Sequence, residues 1–134
     1  RGADLVITTT PSEEPIVMAD WVAPGAHVTA MGSDMPAKRE LDPALLRRGR
    51  LVVDRLSQCL TQGELHHAVA AGVMRAEDVA AELGEVVAGL KPGRRAADEI
   101  TIADLTGVGV LDAAVAGYVA ERAEAADVGR WLDL

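Results

Sequence analysis

Four short apolar runs decide what this chain can fold into. They are Ala3 to Thr9, His27 to Met31, Arg50 to Asp54 and Glu99 to Leu105. Each is compact and continuous, as strands buried in a parallel sheet are. None is followed by another at hairpin distance, so the connections must be crossovers, and crossovers join parallel strands. The fold class expected is therefore α/β: a parallel sheet with flanking helices.

The segments between the runs supply the helices. Thr10-Pro11-Ser12-Glu13-Glu14-Pro15 breaks the first strand, because proline lacks a donor and restricts the residue before it. Ala19 to Val22 reads as a short helical turn closed by Ala23-Pro24-Gly25. Asp42 and Pro43 read as the N-cap and first residue of a helix. Thr61-Gln62-Gly63-Glu64 fits a capping box, with Leu65, Val69 and Val73 following at helical spacing. Val79, Leu83, Val86, Val87 and Leu90 form one apolar stripe of a longer helix, stopped by Gly89, Pro92 and Gly93. A last helix carries Leu111, Val115, Tyr118 and Val119 on one face.

Composition excludes several function classes. The 134 residues suit one domain, and their net charge is −8. Arg47-Arg48-Gly49-Arg50 and Lys91-Pro92-Gly93-Arg94-Arg95 are isolated and carry no interleaved aromatic residues, so no nucleic-acid partner is expected. Cys59 stands alone, which excludes an internal disulfide and leaves a small buried residue as its expected role. No apolar run approaches the roughly 20 residues of a membrane span, so no membrane partner is expected. No signal peptide is seen, and a cytoplasmic location is the expectation. Arg1 stands directly before a strand without an initiating Met, which leads us to expect a start further upstream.

The chemistry concentrates in Met31-Gly32-Ser33-Asp34-Met35-Pro36-Ala37-Lys38-Arg39-Glu40-Leu41. It places Asp34 in a turn at the carboxyl end of the second strand, where open α/β sheets form their ligand crevice. Partial burial there would lift the carboxyl pKa toward neutrality and suit it to proton transfer. Asp is equally a turn former, and Lys38 could be a solvated surface charge. His66 and His67 are neighbours on a helix and point apart, so no metal site is expected from them. Glu82 and Glu85 are expected on the polar side of their helix.

Thr106-Gly107-Val108-Gly109-Val110-Leu111-Asp112 imitates a dinucleotide fingerprint. The third small residue of G-x-G-x-x-G is replaced by Asp112, and the remaining chain offers no second strand of a βαβ unit. We read it as a tight turn into a helix. The chain thus has the character of the second half of a Rossmann-like nucleotide-binding domain.

Several segments, in order, resemble the ornithine cyclodeaminase and mu-crystallin family. They are Ala3 to Ser12, His27 to Asp34 with Lys38-Arg39-Glu40-Leu41, Gly63 to Ala68, Ala81 to Val86 and Asp98 to Gly107. The Gln58 to His67 stretch is most similar to cyclodeaminase-like proteins of ectoine breakdown. The resemblance implies a partial Rossmann-like NAD(P)-binding domain over residues 1–107. Residues 108–134 would be a C-terminal helix and tail returning toward a substrate and dimerisation domain. It implies NAD as cofactor, with NADP possible, a small amino-acid substrate and a homodimer. The implied activity is an amino-acid cyclodeaminase: oxidation at Cα, ring closure and loss of ammonia. A ketimine reductase, an amino-acid dehydrogenase and a non-catalytic nucleotide-binding protein of mu-crystallin type are the alternatives.

By position, Asp34 matches the family's catalytic carboxylate, and Asp34 and Thr106 match substrate-facing positions. Thr8, Thr9, Pro11, Ser12, His27, Val28, Thr29, Ala30, Lys38 and Leu105 match cofactor-facing positions. Leu105 stands where many members carry a hydroxyl residue, and Ala37 stands at a frequent Gly. A fragment of this extent is expected to be inactive alone, since the phosphate loop and the substrate-carboxylate clamp are missing from it.

Overall fold

The computed structural model describes residues 2–130 and 132. Its strands are β1 (Leu5–Thr8), β2 (His27–Ala30), β3 (Arg50–Val53), β4 (Ala81–Glu82) and β5 (Thr101–Asp104). Its helices are α1 (Pro43–Arg48), α2 (Leu56–Cys59), α3 (Gly63–Ala70), α4 (Leu83–Val87) and α5 (Gly109–Ala125), with 3-10 turns at Ala19–Trp21 and Ala76–Asp78. The sheet is parallel throughout, in the order β1-β2-β5-β3-β4. The last strand inserts at the centre, between β2 and β3, so its carboxyl end stands beside theirs. Trp131 of the expected tail lies outside the described residues.

Alternation of side chains builds one well-covered face. Val28 and Ala30 of β2, Leu51 and Val53 of β3 and Ile102 of β5 point the same way and are buried. Leu45 and Leu46 of α1 and Leu65 and Ala68 of α3 close over them. The cap of α1 is as expected: the Asp42 carboxylate accepts the Ala44 amide at 2.9 Å, with Pro43 behind it. The opposite face is thinner. Leu83 and Val86 of α4 and His27, Thr29 and Val52 of the sheet line an open hollow of about 410 Å³ there.

Several local expectations fail for tertiary reasons. β1 was expected to be buried, yet Leu5 and Ile7 are 57% and 58% exposed, because no described element covers that side of it. The stripe from Val79 to Leu90 is not one helix. Ala80 donates to the Leu51 carbonyl, Ala81 and Glu82 pair with β3, and only Leu83 to Val87 are helical. Pairing satisfies the free edge of β3, which a helix there would leave open. Glu82 and Glu85 do not merely face solvent: Glu82 accepts the Leu56 amide at 2.8 Å, and Glu85 accepts the Glu82 amide at 2.9 Å. On α5, Leu111, Val115, Tyr118 and Val119 are all exposed, so their shared face has no partner within the described residues. α2 carried no periodic signal, being a single turn.

The capping box at Thr61 is also absent. Thr61 donates to the Gln58 carbonyl, and the N-cap of α3 is Gln62, whose side chain makes no cap bond. The cap comes from another strand. Asp104, at the end of β5, accepts the Leu65 amide at 2.9 Å. Gly63 permits this approach: its φ is +84°, and a Cβ there would stand 2.9 Å from both carboxylate oxygens and 2.7 Å from the Thr106 methyl.

Asp104 is fully buried, and its Oδ1 has no hydrogen-bond partner. Burial pushes its pKa from 3.8 up to about 6, while the Leu65 and Glu64 amides pull the other way. A carboxyl raised in the folded state contributes its full stability below the unfolded value and loses it as pH rises through about 6. Asp104→Asn keeps the shape and an acceptor but cannot ionise. We expect its melting temperature, relative to the unsubstituted chain, to become more favourable between pH 5 and pH 8. Thermal denaturation followed by circular dichroism across that range measures it; a flat difference would refute the assignment.

Candidate functional site

Because all five strands are parallel, their carboxyl ends open on one edge. The segments leaving β1, β2, β3 and β5 meet there. The first two segments carry most of the residues expected to be functional.

The β2 exit is a loop held by its own backbone. The Ser33 hydroxyl donates to the Lys38 carbonyl, and the Lys38 amide donates to the Met35 carbonyl at 3.1 Å. His67 of α3 stands 2.8 Å from the Lys38 carbonyl through Nε2. Burial lowers the His67 pKa, so the ring is a neutral donor to that oxygen near pH 7. The result is a closed loop with Asp34 and Lys38 at its rim. Lys38 Nζ pairs with Asp34 Oδ1 at 2.7 Å.

Asp34 is not in the environment expected of it. Its side chain is 54% exposed, and the hydrogen bond from Lys38 holds its carboxyl below the usual range. No described element of this chain covers the Asp34 side chain, so the upward push of desolvation is outweighed by the Lys38 hydrogen bond. Within this chain Asp34 is an ionised carboxylate at neutral pH, ready to accept a proton or face a cation.

The β1 exit lies against this loop. The Arg39 amide donates to the Ser12 carbonyl at 2.9 Å, and the Met31 amide donates to the Thr8 carbonyl at 2.9 Å. Thr8 is buried at the end of β1, and its hydroxyl has no partner. Thr9 and Pro11 are exposed, and the half-buried Ser12 has its hydroxyl turned to the Glu14 carbonyl at 2.6 Å. Ala30 ends β2 beside them, and Leu105 follows β5, its amide donating to the Ala30 carbonyl at 2.9 Å.

Three of the expected residues are placed elsewhere. His27 begins β2, about 10 Å down the strand from this edge. Its ring is 2.7 Å from the Thr101 hydroxyl and 3.1 Å from that of Thr29. Burial and the nearby Arg94 lower its pKa, so it is neutral near pH 7. Val28 is core. Thr29 points to the thinly covered face with His27.

Thr106 reaches the edge with its polar atoms already engaged. Its amide and hydroxyl donate to Asp54 at 2.8 and 3.1 Å, and Gln58 donates to its hydroxyl at 2.9 Å. Asp54 also accepts the Gly107 amide at 2.8 Å. A hollow of about 560 Å³ at this edge lies over Asp54, Glu82 and the start of α5 and does not include Asp34.

Sequence reading missed the carboxylates that hold these loops. Glu40 is fully buried and accepts from Thr10 and Gly32. Glu64 is buried too, accepting the Glu40 and Leu41 amides at 2.8 and 3.0 Å. Burial pushes its pKa up to about 7, against those two amides. The available signal was an acid with apolar neighbours: Glu40 before Leu41, Glu64 before Leu65 and Asp104 inside Ile-Ala-Asp-Leu. Cys59 is buried, as expected, and desolvation together with Asp104 and Asp54 pushes its thiol strongly up, which keeps it protonated.

Comparison with known proteins places this arrangement. The profile of the ornithine cyclodeaminase/mu-crystallin family matches residues 1–127. The chain is 49% identical over 126 residues to an alanine dehydrogenase of Archaeoglobus fulgidus, covering 94% of this chain and 39% of the relative. The iminosuccinate reductase of Paracoccus denitrificans, solved in complex with NAD+, superposes with a TM-score of 0.88 at 43% identity, over 100% of this chain and 41% of that one. A lysine cyclodeaminase structure superposes at 0.80 with 26% identity, over 100% of this chain and 38% of that one. The chain therefore spans about two-fifths of the length of such relatives. With an α/β parallel sheet, the matched profile and relatives of this identity, the chain belongs to the ornithine cyclodeaminase/mu-crystallin family.

Proposed function

We propose that this chain is the nicotinamide-side part of an NAD-dependent enzyme that oxidises a small amino acid at Cα or reduces the corresponding imine. Asp34 is its acid–base group. The observation that carries this reading is the Asp34–Lys38 pair, set on a closed loop at the carboxyl edge of a parallel sheet.

The residues at that edge fit a nicotinamide. The Thr8 hydroxyl at the end of β1 is buried without a partner. Thr9, Pro11 and Ser12 lie on the β1 exit, and Leu105 lines the hollow over the thinly covered sheet face with Thr29. The chain has no glycine-rich turn opening a βαβ unit, so its contribution is to hold the nicotinamide end, and the phosphates belong to the remainder of a full-length protein. NADP would serve in the same way at this end. When bound, the nicotinamide supplies the hydride acceptor or donor.

Asp34 then acts on the nitrogen. Oxidation of an amine at Cα leaves a cationic iminium carbon, and an ionised carboxylate beside it stabilises that charge. The same carboxylate takes the proton that the amine must lose, and in the reductive direction it returns one. Lys38 keeps Asp34 ionised and fixes its orientation. Thr106, held by Asp54 and Gln58, shapes the substrate side without a free hydroxyl. In this reading residues 1–107 form the nucleotide domain, and α5 with the tail runs toward the substrate domain of a homodimer. The uncovered apolar face of α5 supports that course.

Dehydrogenase, reductase and cyclodeaminase activities all stand on this hydride transfer, and relatives named for each are comparably similar to this chain, a cyclodeaminase of Sinorhizobium fredii at 51% identity and the alanine dehydrogenase at 49%. Cyclodeaminase activity shares the first hydride transfer and needs, in addition, a substrate with a second amine. Initial rates of NADH formation with alanine, aspartate, ornithine and lysine distinguish them in a full-length protein carrying this chain.

Asp34→Asn in that protein should lower kcat by about 100- to 10,000-fold while leaving the melting temperature nearly unchanged, since the side chain is exposed. Unchanged turnover would remove Asp34 from the mechanism. Lys38→Met should move the acidic limb of the kcat/KM pH profile upward, because losing the cation raises the Asp34 pKa. A limb that stays in place would show that another group sets it.

A further inference from the structure

We infer that Glu40 is a positioning residue that joins the cofactor-facing β1 exit and the acid–base β2 exit into one rigid unit. The inference rests on the reading of Asp34 given above and goes beyond it. The geometry is specific. Glu40 Oε1 accepts the Thr10 amide at 2.5 Å and the Thr10 hydroxyl at 2.8 Å. Glu40 Oε2 accepts the Gly32 amide at 2.8 Å. One carboxylate thus binds the chain two residues beyond β1 and two residues beyond β2.

The backbone of Glu40 is itself fixed. Its amide donates to Glu64 Oε1 at 2.8 Å, and its carbonyl accepts the Ile16 and Val17 amides at 2.7 and 3.0 Å. Glu64 sits in the first turn of α3, whose amide end Asp104 caps. A continuous line of carboxylate-to-amide bonds therefore runs from the central strand β5, through α3, to the loop that carries Asp34.

The two exits are also in contact at Gly32. A Cβ there would collide with the Thr10 carbonyl oxygen and stand 2.5 Å from the Glu40 carboxyl carbon. The junction is thus built around a bare backbone position and a buried carboxylate. A buried apolar side chain of similar volume would avoid the desolvation cost, but it could not accept from both loops. Misplacement of a reacting group by about 1 Å can cost about 100-fold in rate. Asp34 lies two residues from the Gly32 bond, so loss of that bond displaces it directly.

The test uses a full-length protein carrying this chain. Glu40→Gln keeps the shape but leaves one oxygen for two loops and turns an N–H donor toward the other. We expect kcat to fall about 100-fold, with the acidic limb of the pH profile displaced because Asp34 no longer meets Lys38 in fixed geometry. Leu45→Ala, on the core-facing side of α1, provides a comparator that lowers the melting temperature without changing either carboxylate-held loop. It should keep the wild-type pH profile and kcat. Should Glu40→Gln not fold, Gly32→Ala forces the same two loops apart with no change of charge and carries the same expectation. Wild-type kcat and an unmoved limb in whichever of Glu40→Gln and Gly32→Ala folds would overturn the positioning role. If Asp34→Asn alone retains full turnover, the acid–base reading fails instead, and the two failures are thereby told apart.

Discussion

Buried carboxylates accepting backbone amides hold this structure together where it matters. Asp104, Glu64 and Glu40 are all at or below 1% exposure, and each accepts at least one amide distant in sequence. An unpaired buried charge is costly, so the arrangement is stable only while every amide stays in place. That makes the carboxyl edge of the sheet rigid in a way that apolar packing alone would not. The apolar core fixes the distance between layers, whereas the carboxylates fix the path of individual loop residues.

This explains a division of labour along the chain. The covered face, with Val28, Leu51, Ile102, Leu45 and Leu65, is generic α/β packing. The edge above it is specific. Glu64 and Glu40 spend their hydrogen-bonding capacity on loops, and Asp34 is left exposed at the rim beside a half-buried Lys38. The two kinds of acid are consequently opposite in character: burial raises Asp104 and Glu64, and Lys38 lowers Asp34. Sites that separate their carboxylates in this way can assign scaffolding and proton chemistry to different groups within a short span of chain.

The uncovered surfaces are equally informative. Leu5 and Ile7 on β1 and the apolar positions of α5 are exposed together, and the chain spans about two-fifths of its relatives. Apolar faces of this size normally meet another element. The expectation that Asp34 is partly buried fails for the same reason, since nothing described in this chain stands over the Asp34 side chain.

Much of this was legible in the sequence. Continuous β-branched runs at crossover spacing fixed a parallel α/β sheet, and Asp42-Pro43 marked the start of α1, because those signals act within a few residues. The exit loop bearing Asp34 was legible too, from its position after a strand. What the sequence could not decide was anything resting on distant partners. Val79 to Leu90 has helical periodicity, yet Ala81 and Glu82 became strand because β3 offered a free edge. Thr61 and Glu64 spell a capping box, yet Asp104 caps α3 and Glu64 turns to the Asp34 loop. Local propensity is worth tenths of a kcal/mol to about 1 kcal/mol per residue. A buried charged hydrogen bond or a sheet edge is worth more, and which of these is available is settled only when the chain has folded.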